Sequence, residues 1–193
     1  TPSKAYQRLG QQHLPWNRVD VFLGDERWVS ADDESSNARM LRSTLLKAGE
    51  PGAAACFHPV PTVELPTPEA SADAFAQLIA NSCSGEPPIF DMMVLGLGDD
   101  GHTASLFPGT DAPEVRDRWT TIGRGKGLER ITLTAQVLSA SRTVMFLVSG
   151  ANKREALRRL LDPTESSQRT PAKLAQPEAE IIVLADEAAS EGL

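Results

Sequence analysis

Cysteine, basic charge and long apolar runs are all scarce in this chain. Its two cysteines, Cys56 and Cys83, have no paired spacing, which argues against a disulfide framework and against a zinc site. With 19 Lys and Arg against 26 Asp and Glu, the net charge of -7 argues against nucleic acid or an anionic membrane as the main partner. No apolar run approaches the ~18 residues that a membrane-spanning helix needs. The composition predicts a cytosolic protein in which any anionic ligand is held by local cations.

The hydrophobic residues that are present alternate between two periods along the chain. Runs typical of strands lie at 18–29, 89–98, 141–150 and 179–189, and segments with helical spacing lie at 35–49, 70–83 and 152–161. Apolar strands that alternate with helices are typical of a mostly parallel sheet with helices on both faces. Since the chain has 193 residues and 40% of them are hydrophobic, we expect one α/β domain over residues 1–193.

Three kinds of segment have weaker patterns. Residues 130–141, RITLTAQVLSAS, predict an antiparallel strand and a turn at one side of the sheet. The basic segment GRGKGLER at 123–130 does not join a clear strand to a helix, so a flexible loop is favoured over a phosphate-binding loop. The proline-rich segments 49–70 and 163–179 are predicted to be connectors.

Ligands of such sheets bind beyond the carboxyl ends of the strands. Three stretches follow a predicted strand end: GDERW at 24–28, GLGDDGH at 96–102 and SGANK at 149–153. Of the three histidines in the chain, His102 is the one on such a loop. Lys153 lies in the first turn of a predicted helix, where a cation is unfavourable for the helix dipole, and this makes it a candidate ligand.

Each of these stretches also has an ordinary interpretation. An Asp-Gly-His sequence is a common composition for a turn. The sequence GDER is compatible with a solvated loop that contains an internal ion pair. Lys153, taken alone, is typical of a surface lysine. The residues by themselves leave these alternatives open.

The first residues predict a helix with Thr1 as its N-cap and Pro2 at its first position. A domain that opens at a helix cap lacks the strand that should come before that helix. We therefore expect a β-strand and its loop to precede Thr1.

In chain order, these stretches resemble the 6-phosphogluconolactonases, which share a family with the glucosamine-6-phosphate deaminases. GLGDDGHTASLFPG is the most specific stretch; FLGDERWV with SSNARML, RITLT, FLVSGANKREAL and TPAKLAQPEAEIIVLADEAA extend the likeness over nearly the whole chain. The resemblance implies a Rossmann-like fold of the deaminase/isomerase type. It also implies that Thr1 and Pro2 end a Gly-Gly-Ser/Thr-Thr-Pro phosphate loop, of which the strand and the glycines are missing here. Leu184 departs from the family, which often has an aromatic residue there.

The resemblance implies hydrolysis of 6-phosphoglucono-δ-lactone in the oxidative pentose phosphate pathway, with no metal and no cofactor. A histidine, whose pKa lies near neutrality, can take a proton from the attacking water and deliver one to the departing ring oxygen. His102 is the candidate base, and Asp100 rather than Asp99 is its candidate orienting partner. Cations are assigned to the phosphate and glycine N–H groups to the developing oxyanion. The candidate substrate ligands are Thr1, Asp25, Arg27, Asn37, Gly98, Gly101, Arg130 and Lys153.

Two alternatives are kept. The first is a glucosamine-6-phosphate deaminase or isomerase, but the deaminases have a glutamate five residues after the loop histidine, and Phe107 stands at that position here. The second is a non-catalytic sensor of sugar phosphates. His102 with Asp100 argues against the sensor, because binding alone needs no general base.

Overall fold

A computed structural model describes residues 2–193 of the chain. Thr1, with its predicted roles as a helix cap and a phosphate ligand, lies outside the described residues. The helices are α1 (Ser3–Gly10), α2 (Asn37–Ser43), α3 (Pro68–Ser82), α4 (Ala135–Ala140), α5 (Arg154–Leu161) and α6 (Glu187–Ser190). The strands are β1 (Asp20–Phe22), β2 (Asp25–Arg27), β3 (Cys56–His58), β4 (Met92–Gly96), β5 (Thr120–Gly125), β6 (Leu128–Leu133), β7 (Thr143–Val148) and β8 (Glu180–Ala185). Among these residues, no helix is long and apolar enough to cross a membrane.

Two of the three sheets are parallel, as the alternation of strands and helices predicts. Strand β1 pairs with β3, and β7 lies between β4 and β8. In the β4–β7–β8 sheet, a helix lies in the sequence between each two paired strands, as the crossover connections of parallel strands require. The α/β class is thereby confirmed. Strand β3 was missed, because Cys56–His58 lies inside the proline-rich segment that was predicted to be a connector.

The third sheet is antiparallel, with β6 between β2 and β5. The flexible loop predicted at 123–130 is wrong, because this segment forms the β5–β6 hairpin with Lys126 and Gly127 at positive φ in its turn. The strand predicted from RITLT is confirmed as part of β6, but the following residues form α4 instead of a turn. Residues Asp25–Arg27 are also a strand of this sheet and not a loop beyond a strand end.

The core is built from buried residues of the β4–β7–β8 and β2–β6–β5 sheets and from the helices packed on them. In β7 the burial alternates along the strand, so that Val144 and Phe146 are fully buried. Helix α3 contacts β5 and β6 and buries Phe75 and Ile79 completely. The helix begins where Thr67 accepts a hydrogen bond from the N–H of Ala70, with proline at its first position.

Helix α2 is shorter than its apolar pattern predicts. Ser35 and Ser36 are both candidate caps at the start of its pattern, and Ser36 caps it by accepting a hydrogen bond from the N–H of Arg39. The helix ends at Ser43 instead of near Gly49, because Thr44 leaves the helical region at φ -126° and ψ -88°. The capped end of α2 contacts β2, which places Asn37 beside the residues of that strand.

Candidate active site

The loop that follows β4, residues 97–103, is closed by its own backbone. The N–H of Gly98 donates to the carbonyl oxygen of His102 at 2.8 Å, and the N–H of Gly101 donates to that of Gly98 at 3.0 Å. The hydroxyl of Thr103 donates to the carbonyl oxygen of Gly96 at 2.8 Å. We call this segment the histidine loop; its hydrogen bonds hold His102 immediately beyond the carboxyl end of β4.

Glycine is needed at two positions of the histidine loop. A Cβ at Gly98 would collide with the His102 imidazole and the Asp100 carboxylate. Gly101 has a φ of +92°, a conformation that other residues rarely adopt. The N–H groups of both glycines already donate hydrogen bonds within the loop. They are therefore not free to bind an oxyanion in this structure, contrary to the prediction. The two glycines shape the loop.

His102 and Asp100 form a close pair. The Nδ1 of His102 lies 2.5 Å from Oδ1 of Asp100, and the same oxygen accepts the backbone N–H of His102 at 3.0 Å. Because one carboxylate oxygen holds both the ring and the backbone, the imidazole has little freedom to turn. In the described part of the chain, Nε2 of His102 has no hydrogen-bond partner. The arrangement leaves Nε2 as the nitrogen that can exchange a proton with a ligand.

The surroundings of the pair shift both pKa values. Burial lowers the pKa of His102 below its ordinary value, and the nearby Lys126 acts in the same direction, although Asp100 and Asp25 oppose them. Burial acts to raise the pKa of Asp100, but the hydrogen bonds from His102 outweigh it and the pKa is lowered. A neutral imidazole beside an ionised carboxylate is the state that a general base needs.

Phe107 contacts both the histidine and a cation. Its ring centroid lies 4.5 Å from that of His102, and the guanidinium carbon of Arg130 lies 5.3 Å from the Phe107 centroid. Phe107 is 4% exposed, and its ring occupies the space where a side chain at Gly125 of the hairpin would lie. A buried aromatic ring therefore fixes the distance between His102 and Arg130.

Two arginines face each other across the antiparallel sheet. Arg27 of β2 is directly opposite Arg130 of β6 in the register. Like charges in this position are unfavourable unless an anion lies between or beside them. Burial lowers the pKa of Arg130, and Arg27 lowers it further despite the opposing effect of Asp25. The Nε atoms of both arginines are buried and have no partner among the described residues, so two donors of the site are unsatisfied in the protein alone.

Asp25 and Asn37 hold these arginines in place. Asp25 Oδ2 lies 3.7 Å from Nη1 of Arg130 and accepts the Ser105 hydroxyl at 2.5 Å. The side chain of Asn37 accepts from Nη1 of Arg27 at 3.1 Å and donates to the Asp25 carbonyl oxygen at 2.8 Å. The four predicted residues Asp25, Arg27, Asn37 and Arg130 therefore form one connected cluster, which we call the arginine cluster.

Lys153 lies near Asp99 of the histidine loop and makes no hydrogen bond or ion pair with the arginine cluster among the described residues. It ends a short 3-10 turn at 151–153, directly before α5, instead of lying inside the first turn of an α-helix. Its charge contributes to the lowered pKa of Asp99, whose main cause is the hydrogen bond from Lys126 at 3.3 Å. Both lysines therefore lie beside the histidine loop.

Sequence reasoning missed three residues of this region. Lys126 was set aside with the supposed flexible loop, and Ser105 carried no recognisable signal. Glu26 was grouped with its neighbours, although alternation along a strand sends it to the face opposite Asp25 and Arg27.

Glu26 is 2% exposed and accepts the N–H groups of Asn37 and Ala38, each at 2.7 Å. It also accepts the Ser36 hydroxyl at 3.1 Å and the Arg27 N–H at 2.8 Å. A buried carboxylate thus stabilises the start of α2 and positions Asn37.

A second segment, residues 170–174, is hydrogen-bonded to the histidine loop. The carbonyl oxygen of Gly101 accepts the N–H of Ala172 at 3.0 Å, and a Cβ at Gly101 would press on the buried Thr170. The TPAKL stretch at 170–174 is thus tied to the loop although about seventy residues separate them in the sequence. This contact gives a structural role to one of the stretches on which the resemblance rests.

The chain is similar to proteins of known name along most of its length. It is 43% identical over 196 residues to a 6-phosphogluconolactonase from Synechocystis sp., covering 100% of this chain and 81% of that protein. A 6-phosphogluconolactonase from Nostoc sp. is 42% identical and is matched over 98% of this chain and 79% of its own length.

Solved structures give the same result. A 6-phosphogluconolactonase from Shewanella baltica superimposes with a TM-score of 0.84 at 32% identity, covering 95% of this chain and 78% of that one. A monomeric glucosamine-6-phosphate deaminase shares the fold with a TM-score of 0.78 at 21% identity. The model of the family described as glucosamine-6-phosphate isomerases/6-phosphogluconolactonase matches residues 1–184. The chain belongs to this family.

Proposed function

We propose that this chain hydrolyses 6-phosphoglucono-δ-lactone to 6-phosphogluconate, a step of the pentose phosphate pathway. The observation that carries the proposal is the contact of His102 and Arg130 with the same buried ring, Phe107. This contact supports a site in which His102 as general base and the arginine cluster as anion binder reach one small ligand. The named relatives support the choice of substrate.

The residues of the histidine loop account for the chemical steps. Nε2 of His102 removes a proton from a water molecule as the water oxygen attacks the lactone carbonyl carbon. The tetrahedral intermediate then collapses, the bond from that carbon to the ring oxygen breaks, and His102 returns the proton to the ring oxygen. Asp100 holds Nδ1 throughout and stabilises the imidazolium that exists between the two steps.

The arginine cluster accounts for the binding of a phosphorylated substrate. Arg27 and Arg130 each have a buried Nε–H that the protein leaves without an acceptor. A phosphate group accepts such donors with charge-assisted hydrogen bonds and relieves the repulsion between the two guanidinium groups. Lys153 adds an outer positive charge near the histidine loop, at a place that suits either the phosphate or a sugar hydroxyl.

The two alternatives are less compatible with this site. Phe107, which stands where the deaminases have an acid, is buried against the His102 ring and supplies no carboxylate. A sensor needs the arginine cluster but not a histidine whose pKa is lowered and whose free nitrogen is kept in one orientation. We therefore favour the lactonase over both.

The test follows the disappearance of freshly prepared 6-phosphogluconolactone against a buffer blank, since the lactone also hydrolyses without an enzyme. We expect rapid enzyme-dependent loss with 6-phosphogluconate as the product. The same preparation is assayed for ammonia release from glucosamine 6-phosphate. Ammonia release with no lactone hydrolysis would support the deaminase, and binding of 6-phosphogluconate without acceleration would support the sensor.

A further inference from the structure

A second cluster of metal-binding side chain types lies away from the arginine cluster, on the β1–β3 pair. Asp20 and Cys56 are direct partners in the parallel register, and His58 is two residues after Cys56 on the same face of β3. The ligand atoms of Asp20, Cys56 and His58 all lie within 4.8 Å of one another. The proposed lactonase chemistry uses none of the three.

From this arrangement we infer that Asp20, Cys56 and His58 bind a zinc ion, with water completing the coordination. A thiolate, an imidazole and a carboxylate are the three ligand types that zinc takes in proteins. Zinc bonds of about 2.0–2.3 Å bring tetrahedral ligand atoms to about 3.5 Å from one another. The side chains therefore need to close by about 1 Å at the widest separation, a movement that rotamer adjustment supplies.

The imidazole is already held in the orientation that the site needs. The His58 ring stacks on Phe22 with the centroids 4.4 Å apart and the planes at 5°. Its Nε2 points at Asp20 Oδ1 at 2.7 Å. A zinc ion would take the place of the proton shared by these two atoms, so that Nε2 and Oδ1 both become ligands.

The other two ligands are accessible to an ion from solvent. The Asp20 side chain is 56% exposed, and Cys56 is an exposed free thiol. Within the described part of the chain, the Cys56 thiol has no hydrogen-bond partner that zinc would have to displace. The cysteine spacing argued against a zinc site, but these ligands come from two strands, with Asp20 and Cys56 36 residues apart, and only the parallel pairing joins them.

The probe is cobalt(II), which substitutes for zinc and gives a near-ultraviolet charge-transfer band only when a thiolate is a ligand. The full chain, freed of metal, should show this band at one cobalt per chain, and zinc should remove it. Cys56→Ser should abolish the band, and His58→Gln or Asp20→Asn should weaken binding at least tenfold.

Cys83→Ser is the matched control, because Cys83 lies within electrostatic range of Asp20 but outside the cluster. Its band should equal that of the parent. Zinc should also slow the reaction of Cys56, but not of Cys83, with a thiol reagent followed by mass spectrometry. Absence of the band in the parent, a band unchanged in Cys56→Ser, or loss of the band in Cys83→Ser would each overturn the assignment. These measurements do not depend on lactone hydrolysis, so their failure leaves the proposed function untouched.

Discussion

The protein contains two His–Asp pairs whose contacts are alike and whose surroundings differ. His102 and Asp100 are 2.5 Å apart, His58 and Asp20 are 2.7 Å apart, and both histidine side chains are 17% exposed. The His–Asp distance and the exposure of the histidine therefore do not distinguish the two pairs. What separates them is how each pair is anchored and which charges lie around it.

The anchoring differs first. Asp100 binds both the ring and the backbone N–H of His102, on a loop that Gly98 and Gly101 close tightly. Asp20 binds only the His58 ring, from the neighbouring strand, through Nε2. The first pair is fixed with Nε2 free, whereas the second pair has its Nε2 occupied and its carboxylate open to solvent. This difference suits the first pair to proton transfer and the second to an added ion.

The charges differ as well. His102 has Lys126 near it and, through Phe107, the guanidinium group of Arg130. The exposed Cys56 thiol is the third member of the His58 cluster. Cations beside a general base favour an anionic substrate, and a thiol beside an imidazole favours a soft metal ion. The proposed roles of the two pairs therefore differ because their neighbours differ.

The sharpest test of this comparison is His102→Ala. We expect kcat for 6-phosphogluconolactone to fall by about 10²–10⁴-fold, as is typical when a general base is lost, with binding of 6-phosphogluconate nearly unchanged. His13→Ala, at an exposed histidine, is the control and should retain the parent rate. Cobalt binding should also be unchanged in His102→Ala. Turnover within a few fold of the parent would show that His102 is not the base.

Gly98→Ala tests the anchoring. The added methyl group would overlap the His102 ring and the Asp100 carboxylate, so the pair must move. Because displacement of about 1 Å costs up to about 100-fold, we expect kcat to fall by roughly 10–100-fold while the protein remains folded by circular dichroism. Gly24→Ala, where a Cβ would make only an ordinary contact with Leu95, should have little effect. Equal rates for the two variants would mean that the anchoring does not matter.

Arg27→Ala tests the arginine cluster, whose cations accompany the His102–Asp100 pair and not the His58–Asp20 pair. Loss of charged hydrogen bonds worth about 1.5–3 kcal/mol should raise KM for the phosphorylated lactone by about 10–100-fold, with a smaller change in kcat. Unphosphorylated gluconolactone should be a poor substrate of the parent and nearly indifferent to the substitution. The exposed Arg124 of the hairpin provides the control Arg124→Ala. An equal loss on both lactones would identify Arg27 as structural.

Lys126→Ala should have the smallest effect. The positive charge of Lys126 disfavours protonated His102 and so contributes to its lowered pKa. Removing that charge should raise the pKa of His102 and move the acidic limb of the kcat/KM profile to higher pH, by a small amount because the lysine is half exposed. Lys126→Arg should restore the parent profile. A shift to lower pH would contradict this account.

The sequence alone was sufficient to predict the features that depend on residues close to each other along the chain. Apolar periodicity predicted the α/β class, the cap of α2 was narrowed to Ser35 or Ser36, and the order of the motifs led to the family. His102 and Asp100 were predicted to form a pair because they are two residues apart, directly after the predicted strand at 89–98. Such signals are local, since periodicity, caps and turns are determined by residues within a few positions of each other.

Only the tertiary structure decided the features that depend on distant residues. The antiparallel sheet brings Arg27 opposite Arg130, and the hairpin that places Lys126 beside the histidine loop looks like a flexible segment in the sequence. The β1–β3 pairing joins Asp20 to Cys56 and His58 across 36 residues. Strand pairing is selected by the fit of whole sheets and their cores, so the spacing of residues along the chain carries no information about which side chains will meet.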